Sequence, residues 1–144
     1  FSLDFEQDRK VHRLIDETDW KTLRIAIIVA NKEEYTKDEI AKAADYLLNY
    51  TCEAAIVCAR NKDGGYDVSA RSNRGNIDLA YLMYELNNGG GTFNSASCPA
   101  IFIDAENLEL QKDVLNKRLE DIIYHRNHKV KRQRYKVIRR KIKG

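Results

Sequence analysis

An arginine and a run of three glycines are the residues of this sequence whose types and spacing favour phosphate binding. Arg71 ends a strand-like segment, and Gly89–Gly91 follow the next amphipathic segment. The planar guanidinium of arginine can donate two parallel hydrogen bonds to a phosphate. Glycine lets the backbone approach an anion closely and point several amide N–H groups at it. Together these residues predict one half of a phosphate-binding site.

Polar side chains beside these two features extend the predicted site. If Val68 and Ala70 face the core, Ser69 and Arg71 share the opposite face of their strand. The loop after the glycines adds further hydroxyl and amide donors. The predicted substrate-binding residues are Ser69, Arg71, Gly89, Gly90, Gly91, Thr92, Asn94 and Ser95. The alternatives are an arginine paired with a surface carboxylate, and a glycine run that only forms a turn or ends a helix.

No catalytic residue and no metal site are predicted for this chain. His125 and His128 share a helix face with Asp121, but no further ligand is evident, and the helix dipole explains such histidines more simply. No Ser-His-Asp or Cys-His arrangement and no phosphate-loop lysine can be assembled from its motifs. The sequence therefore predicts binding without catalysis and no cofactor in this chain.

The elements that must position these residues follow from hydrophobic periodicity and capping signals. Helices are predicted over residues 5–16, 36–50, 77–86 and 106–128, and strands over residues 23–30, 53–60, 66–72 and 97–103. Thr36 and Glu39 form a capping-box pattern at the start of the second helix. The hairpin signal at residues 61–65 interrupts an alternating pattern. The fold class is therefore α/β, with a mixed sheet of about four or five strands flanked by helices.

The last two predicted helices and the last predicted strand carry further expectations. The expected apolar side of the third helix consists of Ile77, Ala80, Tyr81 and Tyr84. The expected apolar stripe of the fourth helix consists of Leu108, Leu110, Val114, Leu115, Leu119, Ile122 and Ile123. Pro99 predicts that the last strand begins at an edge or a bulge, because proline cannot donate to a neighbouring strand.

Charge is distributed unevenly along the chain. Residues 129–143 hold nine Lys or Arg and no acid, whereas the remainder carries 16 Lys and Arg against 22 Asp and Glu. An acidic body of this kind lacks the basic face of a general nucleic-acid binder. The basic tail is either a solvated extension of the last helix or a contact for RNA or an anionic surface.

Cysteine usage and hydropathy indicate the compartment. Cys52, Cys58 and Cys98 are odd in number and form no C-x-x-C pair, which favours reduced thiols acting as small core residues in a cytoplasmic protein. No apolar run is long enough to cross a bilayer, so no membrane contact by this chain is predicted. Because the chain begins with Phe1, it is expected to be a piece of a longer protein.

Two segments, residues 25–72 and 77–97, resemble the DHH-associated, substrate-binding domain of DHH phosphoesterases. The likeness spans about residues 22–97, and its most specific elements are S-x-R-S at Ser69–Ser72 and the glycine run that ends a helix. The nearest branch is the bacterial cyclic-di-AMP phosphodiesterases, followed by the oligoribonucleases. The family pattern has histidine after its three glycines, where this chain has Thr92. That departure removes an imidazole able to donate to a phosphate or stack on a base.

The resemblance implies a role for this chain and a division of its length. Arg71 and Gly89–Gly91 would bind the nucleotide with help from Ser69, and residues 22–128 would form the binding domain. Residues 1–21 would lead in from an upstream catalytic domain, and residues 129–144 would form a basic tail. The implied parent is a cytoplasmic manganese-dependent phosphodiesterase for cyclic-di-AMP, pApA or short oligonucleotides, with its manganese ions in the upstream domain. This chain alone would be inactive, and whether the parent is anchored in a membrane stays open.

A binding module without catalysis is the competing hypothesis. Thr92 at the position of the family histidine and the basic tail both motivate it. Residues 129–143 would then contact RNA or the ribosome, with an affinity that falls steeply as salt rises.

Overall fold

The computed structural model describes residues 5–21, 25–50, 53–73 and 77–126. Cys52, His128 and the basic tail lie outside the described residues, so the predictions made for them stay predictions. Within the described ranges, no helix is both long and apolar enough to cross a bilayer.

Four helices and six strands make up the described part of the chain. The helices are α1 (Phe5–Ile15), α2 (Lys37–Leu47), α3 (Leu79–Asn87) and α4 (Leu108–Asp121), and a π-helical turn (Ile122–Arg126) extends α4. The strands are β1 (Asp19–Lys21), β2 (Ile25–Ala30), β3 (Ala54–Arg60), β4 (Tyr66–Ser72), β5 (Gly90–Gly91) and β6 (Ser95–Ile101). The four predicted helices and four predicted strands are confirmed. The two additional strands, β1 and β5, are too short to show a periodic pattern in the sequence.

The six strands form one mixed sheet in the order β1-β2-β3-β4-β6-β5. β2 and β3 are parallel, and every other pair of neighbours is antiparallel. The parallel pair requires a crossover connection, which α2 supplies. The predicted α/β class with a mixed sheet is confirmed.

Helices cover both faces of the sheet and form a three-layer domain. On one face, α1 and α2 pack against alternate residues of β2 and β3, and Val11 and Leu14 of α1 are completely buried. On the other face, α3 and α4 pack against β2, β3, β4 and β6. The helix α1 is therefore part of the same core. Its role as a connection from an upstream domain stays a prediction.

The start of α2 is held by the predicted capping box. The Glu39 N–H donates to Thr36 Oγ1 at 3.2 Å, and the Thr36 N–H donates to Glu39 Oε1 at 2.8 Å. The same carboxylate oxygen accepts a hydrogen bond from Lys10 Nζ at 3.1 Å. These contacts satisfy amides that a helix N-terminus leaves without partners, and they tie α1 to the first turn of α2.

The apolar side predicted for the third helix is correct for Ile77 and wrong for Tyr84, and its other two residues, Ala80 and Tyr81, are half-buried. The buried residues of α3 are Leu79, Leu82, Met83 and Leu86, whereas Tyr84 is 59% exposed. The buried set recurs at i, i+3, i+4 and i+7, which is the stripe that a helix beginning at Leu79 turns toward a core. The tyrosines lie on the flank, where a hydroxyl can remain hydrated.

The apolar stripe predicted for the fourth helix is correct only in its second half. Leu115, Leu119, Ile122 and Ile123 are buried, but Leu108, Leu110 and Val114 are each more than 40% exposed. The first half of α4 is held instead by polar contacts. Asn31 Nδ2 donates to the Leu108 carbonyl at 2.7 Å, and the Tyr66 hydroxyl donates to Gln111 Oε1 at 2.9 Å.

The structure has the bulge that Pro99 predicts, but it lies within the last strand, which begins at Ser95. Tyr66 pairs with Ile101 and Val68 pairs with Cys98, so two residues of β6 lie opposite the single residue Asp67 of β4. The bulge frees carbonyls that the ladder no longer uses, and Asn87 Nδ2 donates to those of Pro99 and Ala100. This contact fixes the end of α3 against β6 just before the glycine run.

Candidate functional site

On the face of the sheet that carries α1 and α2, these helices leave β6 and β5 open, and α2 lies alongside β4. The apolar layer beneath α1 and α2 is built on β2 and β3 alone. On β4, Val68 and Ala70 are buried in the layer beneath α3 and α4, whereas Ser69 and Arg71 are half-buried on the opposite face. The predicted orientation of these four residues is confirmed.

A cavity of about 350 Å³ occupies this open face beside the first turn of α2. Arg71 and Ser69 line it from β4, and Gly90 and Gly91 line it from β5. Its other charged or hydroxyl-bearing lining residues are Ser95 and Ser97 of β6, Asp67 of β4, and Lys37 and Asp38 of α2. Its volume lies within the range of about 300–1,000 Å³ that is usual for small-ligand sites. The arginine and the glycines, which are distant in sequence, therefore converge on one opening.

Strand register aligns the polar groups of the cavity in rows. Ser69 of β4 pairs with Ser97 of β6, which in turn pairs with Gly90 of β5. Arg71 pairs with Ser95 in the next row. Paired residues of antiparallel strands present their side chains on the same face, with about 4.8 Å between neighbouring strands. The cavity floor is consequently a patch of hydroxyl groups roughly 10 Å wide, bordered by Arg71 on one side and by Gly90 on the other.

The three glycines differ in how much space surrounds the position of a Cβ atom. A Cβ on Gly89 would lie 2.2 Å from the Ser97 carbonyl oxygen, and one on Gly91 would lie 2.4 Å from that of Ser95. Gly91 also has a φ of +142°, which side chains rarely tolerate. A Cβ on Gly90 would meet nothing within 4 Å. Close packing against β6 therefore requires Gly89 and Gly91, whereas the empty space at Gly90 belongs to the cavity.

Arg71 lines the cavity and also forms an ion pair. Its Nε donates to Asp45 Oδ1 of α2 at 3.2 Å, and its Nη1 donates to the Ala70 carbonyl at 2.9 Å. Within the described part of the chain, these contacts use two of the five guanidinium N–H groups. The other three can donate to a ligand. Asp45 is 56% exposed, and an ion pair with such an exposed carboxylate contributes little to stability. Arg71 therefore forms the surface ion pair that was the alternative interpretation of the sequence, and it also lines the cavity.

Three of the predicted site residues lie beside the cavity without lining it. Thr92 and Asn94 form the turn between β5 and β6, where Thr92 Oγ1 accepts from the N–H groups of Asn94 and Ser95 at 3.3 and 3.1 Å. The Asn94 carbonyl accepts from the Ser72 N–H at 2.9 Å. Gly89 packs against the backbone of β6. The residues brought together in the cavity are Ser69, Arg71, Gly90, Gly91 and Ser95.

Four charged or hydroxyl-bearing residues of the cavity were missed from the sequence: Lys37, Asp38, Asp67 and Ser97. Asp67 lies two residues before Ser69, and Ser97 lies two residues after Ser95. Because side chains alternate between the faces of a strand, both could have been predicted to share the face of the site. Lys37 and Asp38 are the first two residues of α2, and only the packing of that helix on the sheet brings them to the cavity.

The thiols and acids near the cavity do not form a catalytic centre among the described residues. Burial, together with the negative charge of Asp67, raises the pKa of Cys98 to about 11, and burial raises the pKa of Cys58 further. Both thiols are free and remain protonated at neutral pH, so neither is a ready nucleophile. The described ranges also contain no group of three or more His, Cys, Asp or Glu that could hold a metal ion. The arrangement can bind an anion and a hydrogen-bonding ligand.

Comparisons with known proteins give a family and a fold. Residues 24–121 match the DHHA1 domain family. An exopolyphosphatase-related protein from Bacteroides fragilis has a similar structure, with a TM-score of 0.64 at 19% identity over 84% of this chain. An uncharacterized protein from Helicobacter pylori G27 is also similar, with a TM-score of 0.52 at 20% identity over 83% of this chain. A pGpG-specific phosphodiesterase from Vibrio cholerae has a TM-score of 0.50 at 14% identity over 81% of this chain.

The extent of these matches limits what each of them shows. The chain spans 36%, 34% and 40% of the three solved structures, in the order given, and identities this low show the fold alone. A comparison with curated proteins found no match. The family match covers well over half of the chain and includes β2 to β6 together with the cavity residues. The chain therefore belongs to the DHHA1 domain family, whose members are domains of DHH phosphoesterase-like proteins.

Proposed function

We propose that this domain binds the phosphate of a nucleotide and presents it to the catalytic domain of a DHH-family phosphoesterase. The observation that carries the proposal is the convergence of Arg71, the serine hydroxyls and the open backbone at Gly90 on one cavity. A phosphate placed against this patch accepts hydrogen bonds from the guanidinium and from the hydroxyls. Lys37 adds a second positive charge at the rim.

The acids of the cavity support a nucleotide over a bare phosphate ion. Asp38 and Asp67 line the same opening as Arg71 and Lys37. A carboxylate repels a phosphate, but it accepts hydrogen bonds from ribose hydroxyls and from the amino groups of bases. A ligand carrying both an anionic group and such donors satisfies the whole lining, and nucleotides carry both.

Cyclic-di-AMP, pApA and short oligonucleotides are the substrates we propose for the parent protein. The solved structure of a pGpG-specific phosphodiesterase with a similar fold supports a short nucleotide of this class. We further propose that manganese ions in an upstream catalytic domain activate the attacking water. The residues of this chain would hold and orient the phosphate, and the isolated chain would bind without hydrolysing.

Calorimetric titration of the 144-residue chain with pApA tests the proposal. We expect Arg71→Ala to weaken binding by about 10- to 100-fold, because hydrogen bonds to charged groups contribute about 1.5–3 kcal/mol. Arg71→Lys keeps the charge but loses the two-pronged geometry, so its affinity should fall between the two. Arg13→Ala is the matched control, since Arg13 pairs with Glu33 on the surface and lines neither this cavity nor its neighbour. Equal affinities for the native chain and a folded Arg71→Ala variant would contradict the proposal.

A further inference from the structure

Asp67 is a buried carboxylate at the cavity whose side chain contributes no contact to the fold. It is 7% exposed and lines the proposed phosphate site. Within the described ranges its side chain forms no hydrogen bond and no ion pair. A carboxylate that is removed from water without a partner costs free energy. A ligand that brings hydrogen-bond donors to Asp67 offsets this cost.

Strand register places Asp67 at one end of a line of polar groups. Arg71 pairs with Ser95, and Ser69 pairs with Ser97. Asp67 lies opposite the bulge of β6, two residues from Ser69 on the same face of β4. Successive rows are roughly 7 Å apart, because each residue of a strand rises about 3.4 Å. The cavity therefore offers a cation, hydroxyl groups and a carboxylate, in that order.

A single nucleotide carries matching groups in the same order. Its phosphate accepts from a guanidinium, its ribose exchanges hydrogen bonds with serine hydroxyls, and the edge of its base can donate to a carboxylate. Arg71 and Asp67 are roughly 14 Å apart along the backbone, so they cannot grip one phosphate together. Their side chains and a hydrogen bond at each end shorten this gap to the length of one nucleotide.

The four bases differ in what they present to a carboxylate, which only accepts hydrogen bonds. Guanine presents two neighbouring donors on its Watson–Crick edge, the N1–H and the 2-amino group. Adenine and cytosine each present one amino group beside a ring nitrogen that accepts, and uracil presents one N–H between two carbonyl oxygens. An acceptor that faces a buried carboxylate is repelled, because little water screens the two charges. Guanine is therefore the base that fits Asp67.

Lys37 supports the same choice from the first turn of α2. It lines the phosphate site together with Asp67, and both also line the neighbouring cavity of about 590 Å³. Lys37 forms no ion pair in the part of the chain that the structure describes. Its ammonium group can donate to O6 of guanine, whereas adenine carries an amino group at that position. Asp38, the other acid of the cavity, is exposed, so water competes with a ligand for its carboxylate.

We propose that Asp67 selects guanine in the nucleotide bound at the phosphate site, with Lys37 donating to the O6 atom of that base. This inference rests on the proposed function, because Arg71 is taken to hold the phosphate. It ranks the short nucleotides of that function and places pGpG above pApA.

Calorimetric titration of the 144-residue chain with pGpG, pApA and the inosine dinucleotide pIpI tests the inference. Inosine keeps the N1–H of guanine but lacks its 2-amino group. We expect pGpG to bind about 10- to 100-fold more tightly than pApA, with pIpI between them, because hydrogen bonds to a charged group are strong. In Asp67→Asn the ratio of the pGpG and pApA affinities should fall below about threefold, since an amide both accepts and donates and can pair with either base.

Asp63→Asn is the matched control. Asp63 is an exposed acid of the turn between β3 and β4 that lines the neighbouring cavity but not the phosphate site. The same substitution there should leave the ratio of affinities unchanged. A melting curve establishes that Asp67→Asn is folded, and the ranking of the three ligands by the native chain tests the inference without any variant.

The outcomes separate this inference from the proposed function. If the native chain binds pApA as tightly as pGpG while Arg71→Ala weakens both, the guanine preference is wrong and the phosphate site stands. A preference for pGpG that persists in folded Asp67→Asn would overturn the role of Asp67. If folded Arg71→Ala binds both ligands as the native chain does, the phosphate site is wrong, and the placement of the base beside Asp67 falls with it.

Discussion

The two faces of the sheet differ in how far helices cover them. The face beneath α3 and α4 is buried across β2, β3, β4 and β6, and its layer holds the largest apolar cluster of the described residues. On the face beneath α1 and α2, the apolar layer is built on β2 and β3 alone. Beyond that layer, α2 borders a cavity over β4, β6 and β5 that is lined by Arg71, three serines and the space beside Gly90.

This difference indicates a division of labour within one sheet. Apolar burial on the α3 and α4 face supplies stability, because the hydrophobic contribution scales with the area removed from water. The part of the α1 and α2 face that lines the cavity holds polar groups that can bind a ligand. Substitutions should therefore alter either the free energy of unfolding or the affinity for pApA, according to the face they touch.

The largest effect should come from truncating the buried face. Leu115 of α4 is completely buried in the layer beneath α3 and α4. We expect Leu115→Ala to lower the free energy of unfolding by about 2–5 kcal/mol, because it removes apolar contacts and leaves a cavity. Urea denaturation followed by circular dichroism measures this change. The remaining folded protein should bind pApA with native affinity, and a large loss of affinity would contradict the division between the faces.

The glycine run offers the sharpest comparison, because neighbouring residues should behave differently. Gly89→Ala places a Cβ 2.2 Å from a backbone oxygen of β6, and we expect it to cost about 1–3 kcal/mol of stability. Gly90→Val places its side chain in open space and suits a strand, so stability should change by less than about 1 kcal/mol. Binding of pApA to Gly90→Val should nevertheless fall at least about tenfold, since the side chain occupies the cavity.

Melting temperatures and titrations of the two glycine variants, measured side by side, decide this comparison. A Gly90→Val protein that binds pApA as the native chain does would show that the space at Gly90 is not used by the ligand. A Gly89→Ala protein of native stability would show that β5 can move away from β6 without cost.

The smallest effect should come from Asp45, which pairs with Arg71 at the border of the open face. We expect Asp45→Asn to change stability by less than about 1 kcal/mol, as is usual for exposed ion pairs. It should strengthen pApA binding by about two- to fivefold at low salt, because a negative charge near the bound phosphate is removed, and the gain should fade at high salt. Titration at two salt concentrations measures it. Weaker binding would instead make Asp45 a positioning residue for the guanidinium.

Local patterns in the sequence explain why much of the fold could be predicted. The capping box at Thr36, the bulge at Pro99 and the alternation along residues 66–72 each depend on near neighbours, and the structure contains all three. The side of α3 could not be read reliably, because tyrosine and leucine are both apolar enough to suggest a stripe. The exposed half of α4 was missed for a related reason: nothing in a periodic pattern reveals where a sheet ends beneath a helix.

The amino-acid sequence determined the residue types of the site and the strand face on which Ser69 and Arg71 lie, because side chains alternate along any strand. It also determined that the glycine run would follow a helix end, where Asn88 adopts a left-handed conformation. Only the tertiary structure decided that Arg71 faces Gly90 across a cavity and that Lys37 and Asp67 join it. Those neighbours depend on the order of strands in the sheet and on where α2 packs, and both are set by contacts between distant parts of the chain.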